Sequence, residues 1–269
     1  MILKLMLVLS LLGSAAIAPA EPSPPNPTNK WVVNFADAQC VASRNYGTAE
    51  DPLQFVLKAP PMGDVMQIAV MRKGPAWNAH QVRATITLDG APALKTNMLM
   101  YSAPKNKLRA YLLNLPLADF SKVTAAKSFS IRSEGLNETF LLSGMAPLLK
   151  VIDTCVAGLR KAWNVEEPGT ASSALAERAR VNLSSVFTWR DYPDQAQAAY
   201  DTGSARFAVL IDETGRVVDC TIIETSGVAV LDAQTCGIVK ARAKFKPAIG
   251  LDGKPARDAF VQRVNWRLE

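Results

Sequence analysis

The apolar residues of this chain come mostly in short runs of strand length, and the spacing changes to the three-and-four period of a helix in few places. Runs at residues 31–35, 53–57, 65–71, 82–88, 108–115 and 128–132 read as strands. Pro60-Pro61 ends the second and Asp89-Gly90 makes a turn after the fourth. At Met145, Leu148, Leu149, Ile152, Cys155, Val156 and Leu159 the period becomes helical. The first half is therefore expected to be a mainly β domain closed by a helix, residues 30–163.

Residues 5–17 form an apolar run behind Lys4, and Ala18-Pro19-Ala20 follows as a cleavage site. That is the layout of a secretory signal peptide, expected over residues 1–20. The run is shorter than the roughly 20 residues that span a bilayer. A Pro-rich leader, residues 21–29, comes next. Export places the protein in the periplasm, with an uncleaved inner-membrane anchor as the alternative.

An oxidising compartment gives the four cysteines a use. Four allow three pairings. Keeping each bridge inside one domain favours Cys40 with Cys155 and Cys220 with Cys236. No pair has the close spacing of a zinc site, and His80 is the one histidine. Net charge is +6, but no run of Lys and Arg concentrates it, so nucleic acid is not an expected partner. No nucleophile–His–acid set or phosphate loop is present, and no cofactor is expected. Asp212, Glu213 and Asp219 gather acid near one hairpin without the spacing of a calcium loop.

Residues 164–184 read as a linker, with a short helix over 174–183. Beyond it the signals sharpen. Phe207, Val209 and Ile211 alternate into the turn Asp212-Glu213-Thr214-Gly215, and Val218, Cys220 and Ile222 alternate on the return. Residues 229–243 have helical period, and Pro247 stops them. Phe260, Val264 and Trp266 alternate along a last strand. The order is β-β-α-β, so the fold class is a mainly β domain followed by an α+β domain, residues 185–269.

These pieces carry a resemblance. Tyr192-Pro193-Asp194-Gln195-Ala196, Arg216-Val217-Val218 after the hairpin, Ser226-Gly227 with Leu231-Asp232, Phe245-Lys246-Pro247-Ala248, Asp252-Gly253-Lys254-Pro255 and the closing Val264-Asn265-Trp266-Arg267-Leu268 occur in the order seen in the C-terminal domain of the TonB family. Residues 192–269 resemble that domain. The resemblance implies an interaction module rather than an enzyme, one that binds a receptor segment by adding it as a strand. Arg263, Asn265 and Arg267 on the outer face, with Tyr192, are the expected partner-binding residues. The expected partner is an envelope protein, with an outer-membrane receptor peptide as the precedent; a homodimer is a further option. The chain departs from the family in its short N-terminal segment and in the folded domain standing where a Pro-rich spacer would be. Two alternatives to a periplasmic adaptor remain: an energy-transducing transport protein retained by its anchor, and a structural envelope protein that binds through its N-terminal domain.

Overall fold

The computed structural model describes residues 24–75, 78–103, 107–165 and 174–268. The expected signal peptide lies outside them, as do residues 166–173 of the expected linker.

The first half builds one antiparallel sheet of nine strands. They are β1 (Val32–Ala36), β2 (Gln39–Gly47), β3 (Pro52–Ala59), β4 (Val65–Lys73), β5 (His80–Leu88), β6 (Leu94–Ala103), β7 (Leu108–Pro116), β8 (Ser128–Ser133) and β9 (Leu136–Leu141). Their spatial order is β1-β2-β3-β4-β7-β6-β5-β8-β9. Alternation sets the faces: on β3 Leu53, Phe55, Leu57 and Ala59 turn inward, and Gln54, Val56 and Lys58 turn out. Each large inward side chain contributes about 1.5–3 kcal/mol by leaving water. The sheet curls until Tyr46 of β2 meets Phe140 of β9 edge to face, ring centres 5.1 Å apart. The Tyr46 hydroxyl donates to the Leu141 carbonyl at 2.9 Å across that seam.

Two helices accompany the sheet, α1 (Leu117–Ala125) and α2 (Met145–Ala162). α2 lays Met145, Leu148, Ile152, Cys155 and Leu159 on the core. Cys155 is bonded to Cys40 on β2, with the Cα atoms 5.9 Å apart. The bridge closes a separation of 115 residues, which stabilises the fold by about 5 kcal/mol on the loop-entropy estimate.

The second half contains β10 (Leu175–Glu177), α3 (Asp194–Ala198), β11 (Gly203–Ile211), β12 (Val217–Glu224), α4 (Ala229–Arg242), β13 (Ala248–Gly250), β14 (Pro255–Ala256) and β15 (Asp258–Trp266). Its main sheet has the order β12-β11-β15, and a small one has the order β10-β13-β14. α4 covers one face: Leu231, Thr235, Ile238 and Val239 are buried on it, and Phe207, Val209 and Ile211 of β11 join the same core. The expected bridge Cys220–Cys236 is formed, tying β12 to α4. The short helix expected over 174–183 is not there. Leu175–Glu177 is a strand, and Arg180 bridges Lys246. The reason is tertiary: Leu175 and Ala179 are buried among the C-terminal core residues, and extended backbone lets them pair with the segment after α4.

The two halves touch through β12, through α4 and its preceding loop against β5 and β6, and beside the small sheet. Lys58 of β3 donates to both Asp219 oxygens, at 2.9 and 2.8 Å. Gly63, in the β3–β4 turn, sits so close to Ile223 that an added Cβ would lie 2.4 Å from its methyl. Trp163 stacks under the Arg257 guanidinium at 4.7 Å, and Asn164 Nδ2 donates to the Arg257 carbonyl at 2.8 Å. Leu210 and Ala259 complete the first region's core cluster. One outer strand of the main C-terminal sheet, β12, thus contacts the first half through its side chains, and β15 is the other outer strand.

Candidate functional site

β15 pairs with β11 along its whole length, from Gly203 opposite Trp266 to Ile211 opposite Asp258. Among the described residues no strand pairs with its other side. Antiparallel ladders send the backbone groups of alternate residues to alternate sides. Which residues face outward follows from three contacts: Ala259 N donates to its neighbour's Asp258 Oδ1 at 2.7 Å, Ala259 O accepts from Arg178 at 2.9 Å, and Arg263 N donates to Gln262 Oε1 at 3.0 Å. The odd-numbered residues therefore turn their N–H and C=O groups away from β11. At Ala259 side chains satisfy both groups. At Val261 and Asn265 the outward pairs meet no partner strand, and Arg263 keeps its outward carbonyl.

The even-numbered side chains point at α4. The Trp266 indole donates to Thr235 Oγ1 at 2.9 Å, and Phe260 packs edge to face on Phe245 at 5.2 Å. Tyr192 belongs to this side. Its ring lies 5.4 Å from Trp266, and its hydroxyl donates to the Asp201 carbonyl, so it props the end of β15 from below. The odd-numbered side chains lie on the opposite face. Arg263 and Asn265 are exposed there, and Arg267 is exposed just beyond the strand.

Arg263 is not a lone charge. Register puts it opposite Arg206 of β11, and Arg206 opposite Glu224 of β12. Arg206 reaches one Glu224 oxygen at 2.7 Å and Arg263 reaches the other. Hydrogen bonds from Arg206 and then Arg263 hold the Glu224 carboxyl below the usual carboxylate range. Sequence reasoning named Arg263 and missed Arg206 and Glu224. Only the strand register brings the three together, and a single sequence does not display it.

Near the foot of β15, Asp258 is almost fully buried; burial pushes its carboxyl above the usual range, against hydrogen bonds from Ala179 and pairing with Arg178. A groove of about 470 Å³ opens there, lined among others by Met62, Gly63, Arg178, Arg206, Ile223 and Val261. The first half therefore forms part of the wall beside the free edge.

The motif residues mostly build turns. Gly215 takes φ +82 in the β11–β12 hairpin, where Asp212 accepts from Thr214 N and Arg216 N. Asp232, in the first turn of α4, accepts from Ser226 N at 2.8 Å and from Thr225, which fixes the loop leading into the helix. The acids once grouped near the hairpin turn to different partners: Asp212 to that turn, Glu213 to Arg257, Asp219 to Lys58. Among the described residues no cluster of three or more His, Cys, Asp or Glu side chains is placed to hold a metal ion. Nor is any helix among them long and apolar enough to cross a membrane.

A helix-backed three-stranded sheet whose outer strands, β12 and β15, each pair with β11 alone among the described residues is the build of a small α+β interaction module. Residues 190–268 match the family model described as Gram-negative bacterial TonB protein C-terminal, so the C-terminal region is a TonB-like domain. The N-terminal region matches no family model. No curated protein and no solved structure matches the chain.

Proposed function

We propose that the chain is a periplasmic adaptor whose TonB-like domain captures an extended segment of an envelope partner by strand addition on β15. The observation that carries this reading is the edge itself. From Val261 to Trp266 the strand has one hydrogen-bonded neighbour, while β12, the opposite outer strand, is held to the first half by the Lys58–Asp219 side-chain pair. Unpaired edges invite another strand, and backbone pairing supplies the affinity in that mode. Each new backbone hydrogen bond contributes about 0.5–1.5 kcal/mol net. The bonds available at Val261, Arg263 and Asn265 then set a modest affinity that side chains must sharpen. The domain assignments, residues 30–163 and 185–269, belong to the same proposal. In it the first half is a rigid support that holds β12 and leaves β15 open.

The test uses the full-length protein carrying Val261→Pro and Asn265→Pro together. Each change deletes an outward N–H and leaves the ladder to β11 in place. The double variant keeps the far-UV spectrum of the parent and loses the envelope partner captured by the parent. Undiminished capture by a folded double variant contradicts strand addition at this edge.

A further inference from the structure

The Glu224–Arg206–Arg263 row runs straight across the sheet on the face away from α4. Its charges read minus, plus, plus. Like charges directly opposite one another are unfavourable, and here two guanidinium groups share a single carboxylate. All three side chains are between 44% and 46% exposed, so solvent screens the mismatch without removing it. The row stops at Arg263 because β15 is the edge. A residue on a strand added to β15, paired opposite Arg263, would project onto this same face. An acidic side chain there completes the row as minus, plus, plus, minus, and gives Arg263 a carboxylate that it no longer shares.

We infer that the segment taken up by β15 carries an Asp or Glu at the position that pairs with Arg263, selected by the Arg206–Arg263 pair. This rests on strand addition at β15 and names the partner's chemistry at one position. Asn265 adds no charge, and the groove beside the row is lined by Arg160, Arg178 and Arg206 with Asp64 as its acidic residue, on the wall contributed by the first half.

Two labelled decapeptides of alternating Thr and Val test it, identical except for Glu or Gln at one central position. Binding to the full-length protein is measured by fluorescence anisotropy at low and high salt. The Glu peptide binds about threefold more tightly at low salt, the scale of one exposed ion pair, and the preference fades at high salt. Arg206→Gln leaves Arg263 paired with Glu224 and abolishes the preference. Glu224→Gln frees both arginines and enlarges it. The preference must therefore rise in the order Arg206→Gln, wild type, Glu224→Gln, which is the order of the row's net charge. Equal binding of the two peptides by all three proteins overturns acidic selection while leaving strand addition intact. Failure of both peptides to bind overturns the selection and strand addition together. If Val261→Pro with Asn265→Pro abolishes binding of both peptides while Arg206→Gln changes only their ratio, both readings hold.

Discussion

Replacing Gly215 with alanine separates backbone packing from turn conformation in the TonB-like domain. Gly215 sits at φ +82, where a residue with a Cβ costs about 1–2 kcal/mol. The added Cβ would lie 2.1 Å from the Phe245 carbonyl oxygen, a backbone atom that cannot swing aside. The hairpin must retreat from the chain after α4, and the hydrogen bond from Phe245 N to the Gly215 carbonyl, 3.0 Å long, is lost. That bond adds about 0.5–1.5 kcal/mol. Together Gly215→Ala destabilises by about 3 kcal/mol. Gly253→Ala is the matched control: its φ is +76, and nothing lies within 4 Å of the added carbon, so about 1–2 kcal/mol is expected. Urea unfolding at an unchanged m-value of about 2–3 kcal/mol per M places the Gly215 variant's midpoint about 1 M below the parent. Equal midpoints for the two variants would refute the close-approach argument.

Serine at both Cys40 and Cys155 lowers stability by about 5 kcal/mol, and serine at both Cys220 and Cys236 by about 3, because the loops closed differ in length; urea midpoints of the two double variants give the order. Asp258 gives a pH signature. Its folded carboxyl is raised by burial, so the folded state holds the proton more tightly than the unfolded chain does. Its contribution is therefore most favourable below the ordinary carboxylate value and is lost as pH rises through the folded value. The stability of the parent relative to Asp258→Asn rises as pH is lowered from 7 towards 4, and a difference that is flat or falls over that range contradicts the assignment.

What the sequence made legible follows from how each strand meets its core. The TonB-like hairpin, α4 and β15 lie where the pattern put them because Phe207, Val209, Ile211, Phe260 and Trp266 alternate onto the layer under α4; Leu210 and Ala259 on the other face are buried against the first half. β2 was not legible. Its inward positions are Cys40, Ala42, Arg44 and Tyr46, and the buried Arg44 breaks the apolar alternation. The guanidinium earns its place through the Asn29 and Ser143 carbonyls, at 3.0 and 2.9 Å, and through Trp31 at 5.5 Å, all distant in sequence. β6 buries Met98 and Met100, residues with weak strand signal, and β9 interleaves Asn137 and Glu138 between its apolar ends. α1 follows Pro116 and buries only Phe120 and Val123, too little for a visible stripe. The extended course of residues 175–177 in place of a helix is a tertiary choice, made by pairing with β13. At the candidate site Arg263 and Asn265 were legible as outward positions of a last strand. Arg206 and Glu224 were not, because two neighbouring strands must be aligned before their charges fall in one row.

Amide hydrogen exchange along β15 bears most directly on the account. In the protein alone, the outward amides of Val261 and Asn265 exchange rapidly, while those of Phe260 and Val264, held by β11, are protected. With a captured peptide bound, Val261 and Asn265 become protected and their neighbours do not change. Slow exchange at Val261 and Asn265 before any peptide is added, or unaltered exchange after it binds, would contradict an open edge that works by gaining a strand.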